Sequence, residues 1–208
     1  LPDQFTIKPH WLPDSRHLVA LVESPQAMTA VKVDSVSGKT DALTEGGRFD
    51  YGIAVNVLGD VVLNSSTPGS PFELQRLTGK NRLTALTDHN AWLRTRTLAP
   101  TESIAFRSAD GTRIEGLLIK PVGYVAGRRY PTIVRLHGGP VYQFSQEFMA
   151  DWQVYANAGF AVLAINPRGS SGRGFDFARA IYADWGNKDV QDVQAGIEYV
   201  ITEGLADP

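Results

Sequence analysis

The chain has 208 residues, of which 43% are hydrophobic and 20% are charged, and its formal net charge is −2 at pH 7. This balance is typical of a globular protein and excludes a basic surface for binding nucleic acid. The absence of cysteine excludes disulfides, thiolate nucleophiles and cysteine-ligated metals. The longest apolar run, residues 160–165, is far shorter than the roughly 20 residues of a membrane-spanning helix, so no membrane partner is predicted.

The chain begins with Leu1 and Pro2 rather than Met, and no basic-then-apolar targeting segment follows. We therefore interpret it as a piece of a longer protein. Neither feature decides the compartment; a cytoplasmic location is favoured, and a periplasmic or secreted one stays open.

Residues 1–98 are predicted to be all-β, because short apolar or alternating runs recur between clusters of turn-forming residues. The predicted strands are residues 17–22, 27–33, 53–57, 61–64 and 72–77. Turn motifs repeat, since Pro25 and Pro68 are 43 positions apart and Gly38 and Gly79 are 41 positions apart. A period of this size favours the last blades of a β-propeller, with a β-sandwich as the alternative.

Residues 99–208 have a different rhythm, in which short strands alternate with helical patterns, and they predict an α/β fold. The predicted strands are residues 103–106, 113–119, 131–136 and 160–165. A first helix is predicted from Ser145, as its N-cap, to Gly159 at its C-terminal end. Its buried face would carry Phe148, Met149, Trp152, Tyr155 and Ala156 at helical spacing.

The last predicted helix covers residues 188–203, where apolar residues again recur at helical spacing. Asp189 and Asp192 in its first turn complement the helix dipole. The predicted buried stripe consists of Val190, Val193, Ile197, Val200 and Ile201.

The strand at residues 131–136 ends abruptly in His137-Gly138-Gly139-Pro140. In open α/β sheets, the carboxyl end of a strand is where ligands bind. Backbone N–H groups there can approach a developing negative charge, because glycine has no Cβ. From these residues alone, a tight turn without chemistry is an equal alternative.

A second glycine-rich turn, residues 166–174, follows the strand at residues 160–165. It does not match the dinucleotide-binding fingerprint, because Ser171 stands where a glycine is required. We interpret it as a structural turn that Arg168 ties down by hydrogen bonds. Binding of a substrate carboxylate by Arg168 stays as the alternative.

Four motifs follow one another along the second half of the chain. They are His137-Gly138-Gly139-Pro140, Asn166-Pro167-Arg168-Gly169-Ser170-Ser171-Gly172, Trp185-Gly186-Asn187-Lys188-Asp189 and Ala206-Asp207-Pro208. Their order resembles the catalytic domain of the prolyl oligopeptidase family of serine peptidases, closest to its acylaminoacyl-peptidase and dipeptidyl-peptidase-like branches. The resemblance covers roughly residues 101–208. It implies that residues 99–208 are the N-terminal part of an α/β-hydrolase catalytic domain, preceded by the C-terminal blades of a β-propeller in residues 1–98.

The resemblance also implies where the catalytic groups lie. A nucleophile elbow, G-x-S-x-G, occurs nowhere in this chain, so the triad of Ser, Asp and His is expected beyond Pro208. Ser170 and Ser171 lack the elbow pattern and are not expected to be nucleophiles. The residues that match the family's oxyanion loop are His137, Gly138 and Gly139, with the backbone N–H of Gly139 as the expected donor.

The resemblance further implies a pocket for the substrate residue that precedes the scissile bond. Val141, Tyr142 and Phe144 follow the glycine loop closely enough to line it. A place in the hydrophobic core is an equal alternative for Phe144.

The function implied is hydrolysis of short peptides through an acyl-enzyme by the longer protein, whereas this chain alone is expected to be inactive. The alternatives are a carboxylesterase on the same fold and a non-catalytic propeller protein with a degenerate hydrolase domain. No cofactor is implied, and no metal site is predicted from His10, His17 and His89, which lack ligand spacing. A short peptide is the expected partner, and a homo-oligomer is compatible with the sequence.

Overall fold

The computed structural model describes residues 6–208 of the chain, with side chains from residue 9 onward. The contacts divide these residues into two compact units. The first contains the residues up to Thr95 together with Ser145–Phe148, and the second contains Arg96–Phe144 and Met149–Pro208. The sequence places its domain boundary at residues 98 and 99, and the identity assigned to each domain stays a prediction.

The first unit consists of two successive antiparallel meanders of four strands each. The strands are β1 (Thr6–Trp11), β2 (His17–Ser24), β3 (Ala27–Asp34), β4 (Thr40–Ala42), β5 (Phe49–Val55), β6 (Val61–Thr67), β7 (Ser70–Gly79) and β8 (Arg82–Ala85). A parallel pairing of Met28 with Phe49 joins β3 to β5, so that the strands form one sheet. Pro25 and Pro68 lie in the equivalent β2–β3 and β6–β7 turns.

A repeated hydrogen-bond pattern accompanies the repeated meander. In the first meander, Thr44 Oγ1 accepts a hydrogen bond from the Ala30 N–H of β3 at 2.8 Å, and it donates one at 2.6 Å to the carboxylate of Asp50, on the first strand of the second meander. In the second, Thr87 Oγ1 accepts from the Leu74 N–H at 2.9 Å and donates to the Glu73 carboxylate. Thr44 and Thr87 are 43 positions apart, the same spacing as the prolines.

The predicted strands of the first unit are present, and most are longer than predicted. The prediction for residues 53–57 is wrong at its end, because the chain turns at Asn56. The Asn56 side-chain oxygen accepts hydrogen bonds from the N–H groups of Leu58 and Asp60, both at 2.9 Å, and Val57 in this turn is 88% exposed. The sequence analysis missed the strands β1, β4 and β8.

The second unit is a mixed four-stranded sheet with helices, which makes the protein mixed α/β. Its strands are β9 (Thr101–Arg107), β10 (Arg113–Ile119), β11 (Thr132–Arg135) and β12 (Ala161–Asn166), and its helices are α1 (Ala150–Asn157), α2 (Phe175–Arg179) and α3 (Lys188–Thr202). The strand order is β11-β12-β10-β9, in which β11 and β12 are parallel and the other pairs are antiparallel. All six residues of β12 are buried.

The alternating side chains of β12 face two different cores. Ala161, Leu163 and Ile165 belong to a cluster that includes Val200 of α3. Val162 and Ala164 belong to a second cluster that includes Trp152 of α1. The two helices therefore cover opposite faces of the central strand. In the described residues 6–208, no helix is long and apolar enough to cross a membrane.

The predicted start of the first helix is wrong. The helix begins at Ala150 with Met149 as its N-cap, and not at Ser145. Residues 145–148 instead bond within the first unit, where the Gln146 N–H donates to the Gln26 carbonyl at 2.8 Å and the Phe148 N–H donates to Ser66 Oγ at 2.9 Å. Phe148 and Met149 therefore lie outside the helix that they were predicted to join. The predicted end is confirmed, since Gly159 has φ +90 just beyond the C-cap, Ala158.

The last predicted helix is confirmed to within one residue, as α3. Val190 is 43% exposed and does not belong to the buried stripe that was predicted to include it. Asp192, predicted to complement the helix dipole, is fully buried instead. It faces the loop that follows β12, where it pairs with Arg168 at 2.7 Å.

Candidate functional site

Two loops meet at the carboxyl ends of the parallel strands β11 and β12. The first, residues 136–143, contains the glycine turn, and the second, residues 167–174, is the turn that follows Asn166. The Ser171 N–H donates to the Tyr142 carbonyl at 3.0 Å, and His137 Nε2 lies 2.9 Å from Ser170 Oγ. The glycine turn is therefore held in place by contacts with the second loop.

The His137 imidazole controls the orientation of the first glycine peptide. Its Nδ1 lies 3.0 Å from the Gly138 carbonyl oxygen, and this contact is a hydrogen bond when Nδ1 carries the proton. The Gly138 C=O and the Gly139 N–H belong to one planar trans peptide group and point in opposite directions. Holding the carbonyl therefore fixes the direction of the Gly139 N–H.

Burial is the main cause that lowers the pKa of His137. The hydrogen bond with the Gly138 carbonyl opposes it, and the positive charge of Arg173 adds a smaller lowering effect. The imidazole is therefore neutral near pH 7, with one N–H. A proton on Nδ1 leaves Nε2 to accept a hydrogen bond from the Ser170 hydroxyl. The Pro167 carbonyl, 2.6 Å from Ser170 Oγ, competes for the same hydroxyl hydrogen.

Ser170 and Ser171 are 1% and 3% exposed. Side chains this deeply buried do not reach a substrate, which supports the expectation that neither is a nucleophile.

Gly139 has a backbone conformation that residues with a side chain rarely adopt. Its φ is +132, and an added Cβ would lie 3.0 Å from the Val141 nitrogen and 3.1 Å from the Tyr142 Cβ. An added Cβ at Gly138 would meet no atom within 4 Å. Gly138 and Gly139 are both exposed, and the peptide bond from Gly139 to Pro140 is cis. The geometry presents an exposed peptide N–H at a position that excludes side chains.

Of the three residues predicted to line a substrate pocket, two lie at the surface. Val141 and Tyr142 are 43% and 45% exposed, whereas Phe144 is 6% exposed. The ring of Phe144 packs edge-on against Trp152 at 5.3 Å between centroids. Its backbone is clamped by the Asn166 side chain, which accepts from the Phe144 N–H at 2.8 Å and donates to the Phe144 carbonyl at 2.9 Å. Phe144 therefore lies in the core, which is the alternative that the sequence left open for it.

The structure places Arg168 in a network of protein oxygens. Its Nε and Nη2 donate to the buried Asp192 carboxylate at 2.9 and 2.7 Å, its Nη1 pairs with Asp110, and its Nη2 lies 3.3 Å from Ser108 Oγ. The two carboxylates raise the pKa of the guanidinium. All three of its nitrogens are engaged, so the contacts support the loop-tying interpretation and not the binding of a substrate carboxylate.

Sequence reasoning missed two residues that hold the site together. Asn166 clamps the Phe144 backbone, and Arg173 links the two loops. An asparagine directly after a buried strand and an arginine inside a glycine-rich turn were the available signals, but their partners are distant in sequence. Among the described residues, no group of three or more Asp, Glu or His is arranged to hold a metal ion.

The fold and the loops define a mixed α/β protein whose candidate site lies at the carboxyl ends of two parallel strands. The structure aligns with Pyrococcus horikoshii acylaminoacyl peptidase with a TM-score of 0.85 and 24% identity, over 99% of this chain and 32% of that protein. It aligns with an acylaminoacyl peptidase in complex with Z-Gly-Gly-Phe-chloromethyl ketone with a TM-score of 0.86 and 25% identity, over the same shares.

The sequence comparisons point in the same direction. The model of the prolyl oligopeptidase family matches residues 146–208. The uncharacterized peptidase YuxL of Bacillus subtilis is 29% identical over 93% of this chain and 30% of the relative, and the acylamino-acid-releasing enzyme of Sus scrofa is 29% identical over 93% and 28%. Dipeptidyl-peptidase 5 of Schizosaccharomyces pombe is 39% identical over 50% and 16%.

Residues 146–208 therefore match the prolyl oligopeptidase family, and the chain is related to acylaminoacyl peptidases and dipeptidyl peptidases. It spans less than a third of the length of these relatives.

Proposed function

We propose that this chain is part of a longer serine peptidase that hydrolyses short peptides through an acyl-enzyme, and that Gly139 supplies one donor of its oxyanion hole. The observation that carries the proposal is the 3.0 Å contact between His137 Nδ1 and the Gly138 carbonyl oxygen, which, with the proton on Nδ1, orients the N–H of the exposed residue Gly139 at a position that disfavours a side chain. Two of the relatives are named for the release of acylamino acids and for dipeptidyl-peptidase activity. Their names support the substrate class.

We also propose that the two four-stranded meanders are the last blades of a β-propeller. Two prolines in equivalent turns, and two threonines that accept an N–H from β3 and from β7, each pair 43 positions apart, support this assignment. The second unit would then be the N-terminal part of an α/β-hydrolase domain, an assignment supported by the parallel pair β11 and β12 with helices on both faces.

In the mechanism that we propose, a serine from the rest of the protein attacks the peptide carbonyl, and a histidine held by an aspartate accepts its proton. The carbonyl oxygen becomes negatively charged as the bond forms. The Gly139 N–H and the amide that follows the serine would then donate hydrogen bonds to this oxygen, and they act mainly in the transition state. The preorganised orientation of the Gly139 peptide avoids a reorganisation cost at that moment.

The test is an assay of the full-length protein on acylated peptides, free dipeptidyl substrates and p-nitrophenyl esters, with a fluorophosphonate probe for the nucleophile. Hydrolysis of either peptide class, together with labelling of a serine outside residues 1–208, is the expected result. Turnover of esters alone would favour the carboxylesterase alternative, and no turnover and no labelling would favour the non-catalytic one. The chain of 208 residues alone should neither turn over nor be labelled, because it contains no G-x-S-x-G elbow.

A further inference from the structure

Arg173 links three separate segments of the second unit from a buried position. Its side chain is 8% exposed. Nη1 donates to the Gln143 side-chain oxygen and to the Ser171 carbonyl, both at 3.0 Å. Nη2 pairs with the Glu115 carboxylate on β10 at 3.1 Å. The guanidinium also lies over the Phe177 ring, 5.8 Å from its centroid.

These contacts converge on the segment that follows the glycine turn. Gln143 comes directly after Tyr142, whose carbonyl already accepts the Ser171 N–H at 3.0 Å. The chain is thus held at two successive residues, once by the Ser171 backbone and once by Arg173. Glu115 belongs to the sheet and anchors the guanidinium to a rigid element. The planar guanidinium presents its N–H donors in a fixed arrangement, so it binds several acceptors at once better than the single ammonium group of a lysine.

We propose that Arg173 is a positioning residue of the candidate oxyanion loop, which it holds in register with the loop after β12 by binding Gln143, Ser171 and Glu115 at once. The inference rests on the proposed function of the His137-Gly138-Gly139 turn. Arg173 does not touch the reacting atoms and acts through Gln143, which directly follows Tyr142.

The charge of Arg173 has a second effect on the same turn. It contributes to the lowered pKa of His137, after burial. A neutral imidazole with its proton on Nδ1 keeps the bond to the Gly138 carbonyl and leaves Nε2 as an acceptor, 2.9 Å from Ser170 Oγ. The guanidinium therefore supports the turn in two ways. It donates hydrogen bonds to the segment after the turn, and its positive charge disfavours the doubly protonated His137.

The test compares three variants of the full-length protein. Arg173→Met removes the charge and the fork, whereas Arg173→Lys keeps the charge and loses the fork. Arg179→Met is the matched control. Arg179 lies in α2, six residues after Arg173, its side chain is 60% exposed, and its ion pair is local, with Asp176 on the same helix. For each we would measure kcat and KM on a short peptide, the Ki of a peptide aldehyde, and amide hydrogen exchange of residues 137–144.

For Arg173→Met we expect kcat to fall about tenfold to a hundredfold with KM nearly unchanged, since a displaced donor weakens transition-state binding. The aldehyde Ki should rise by the same factor as kcat/KM falls, and residues 137–144 should exchange faster. The kcat, the aldehyde Ki and the exchange rates of Arg173→Lys should lie between those of Arg173→Met and wild type. Arg173→Lys is also the variant to use if Arg173→Met does not fold. Arg179→Met should match wild type in all three measurements.

Wild-type kinetics together with wild-type exchange in a folded Arg173→Met protein would overturn the inference. So would a loss that appears only in KM or only in thermal stability, because that pattern belongs to a general structural role. If the wild-type protein shows no turnover, the proposed function fails, and the exchange of residues 137–144 still decides whether Arg173 holds the loop.

Discussion

The peptide between Gly138 and Gly139 is the smallest part of the molecule on which the proposed chemistry depends. The His137 imidazole contacts the carbonyl oxygen on one edge of this peptide, and the Gly139 N–H points from the opposite edge. The φ of +132 at Gly139 and the nearby Val141 nitrogen leave no room for a side chain. A substitution at Gly139 therefore changes the direction of the amide without touching a triad residue.

Gly139→Val in the full-length protein should lower kcat by roughly 10²–10³ with little change in KM, the cost of losing one oxyanion donor. Gly138→Ala should cost less, because an added Cβ meets nothing within 4 Å. His137→Ala should lower kcat about tenfold, through the freed Gly138 carbonyl. Steady-state kinetics and circular dichroism of folded variants would check this. Wild-type kcat in Gly139→Val would exclude that amide, and a larger loss in His137→Ala would make the side chain the donor.

The protonation of Glu147 makes the stability of the whole protein depend on pH. Burial raises the pKa of its carboxyl from an ordinary value of 4.5 to about 7. Between these two pH values the folded protein holds a proton that the unfolded chain releases, so the free energy of unfolding falls as pH rises through this window. At higher pH the folded protein must keep a partly buried negative charge.

Glu147→Gln should remove this pH dependence. We expect the variant to be more stable than wild type above pH about 7 and to lose that advantage below pH about 4.5. Thermal unfolding midpoints across this range would check it, with Glu203→Gln as an exposed control. Parallel curves for Glu147→Gln and wild type would show that Glu147 does not titrate in this window.

The site was predictable from sequence only where the chain itself carries the signal. His137, Gly138 and Gly139 form one contiguous motif, and the positive φ at Gly139 is what a glycine after a strand indicates. The partners of His137 and Arg173 were not predictable, because Ser170 and Gln143 reach them from 33 and 30 positions away. Phe144 carried no signal that separates a pocket from a core.

At the scale of the elements, the packing of α3 on β12 depends on one glycine. Gly196 lies in the middle of the helix, where a glycine costs about 1 kcal/mol relative to alanine. An added Cβ at this position would lie 2.5 Å from Ile165 Cδ1 and 2.8 Å from Phe106 Cζ. Both side chains are buried, so a shift of either one would disturb the packing of the core around it. The glycine allows the helix to approach the sheet closely.

Gly196→Ala should destabilise the protein by about 1–2 kcal/mol. Overpacking costs about 1–3 kcal/mol, two contacts under 3.0 Å place this site in the upper part of that range, about 2–3 kcal/mol, and the higher helix propensity of alanine offsets about 1 kcal/mol. Ile165→Val removes the Cδ1 methyl that clashes, so the double variant should be more stable than the two single effects predict. Gln194→Ala, exposed on the same helix, is the control. Denaturant unfolding would measure the stability of the four variants and of wild type. A Gly196→Ala protein as stable as wild type would show that the sheet gives way.

Elements were predictable where hydrophobic periodicity was long and unbroken. The helix α3 and the strand β12 have such patterns, and both are present within one residue of the predicted bounds. The start of α1 was not predictable, because the N–H groups of Gln146 and Phe148 donate hydrogen bonds to residues that are distant in sequence, Gln26 and Ser66. The short strands β4 and β8 have only three and four residues, too few to show a period.

At the scale of the whole molecule, the chain presents apolar side chains and sheet edges that a stable monomer normally covers. Phe175, Tyr182 and Trp185 are 62%, 86% and 68% exposed along one short segment. In the described part of the second unit, β9 and β11 form the two outer strands of the four-stranded sheet. Their outer edges can pair with another chain.

We therefore expect the chain of 208 residues, produced alone, to self-associate at micromolar concentrations, because association buries the exposed aromatic rings and satisfies the strand edges. Light scattering coupled to size-exclusion chromatography, over a range of concentrations, would measure its mass. Replacing Phe175, Tyr182 and Trp185 together with serine should shift the distribution toward the monomer, whereas serine at the exposed Val57 and Leu58, in the first unit, should shift it less. A wild-type chain that stays a monodisperse monomer with one sharp thermal transition would contradict this prediction and the interpretation of the chain as a piece of a longer protein.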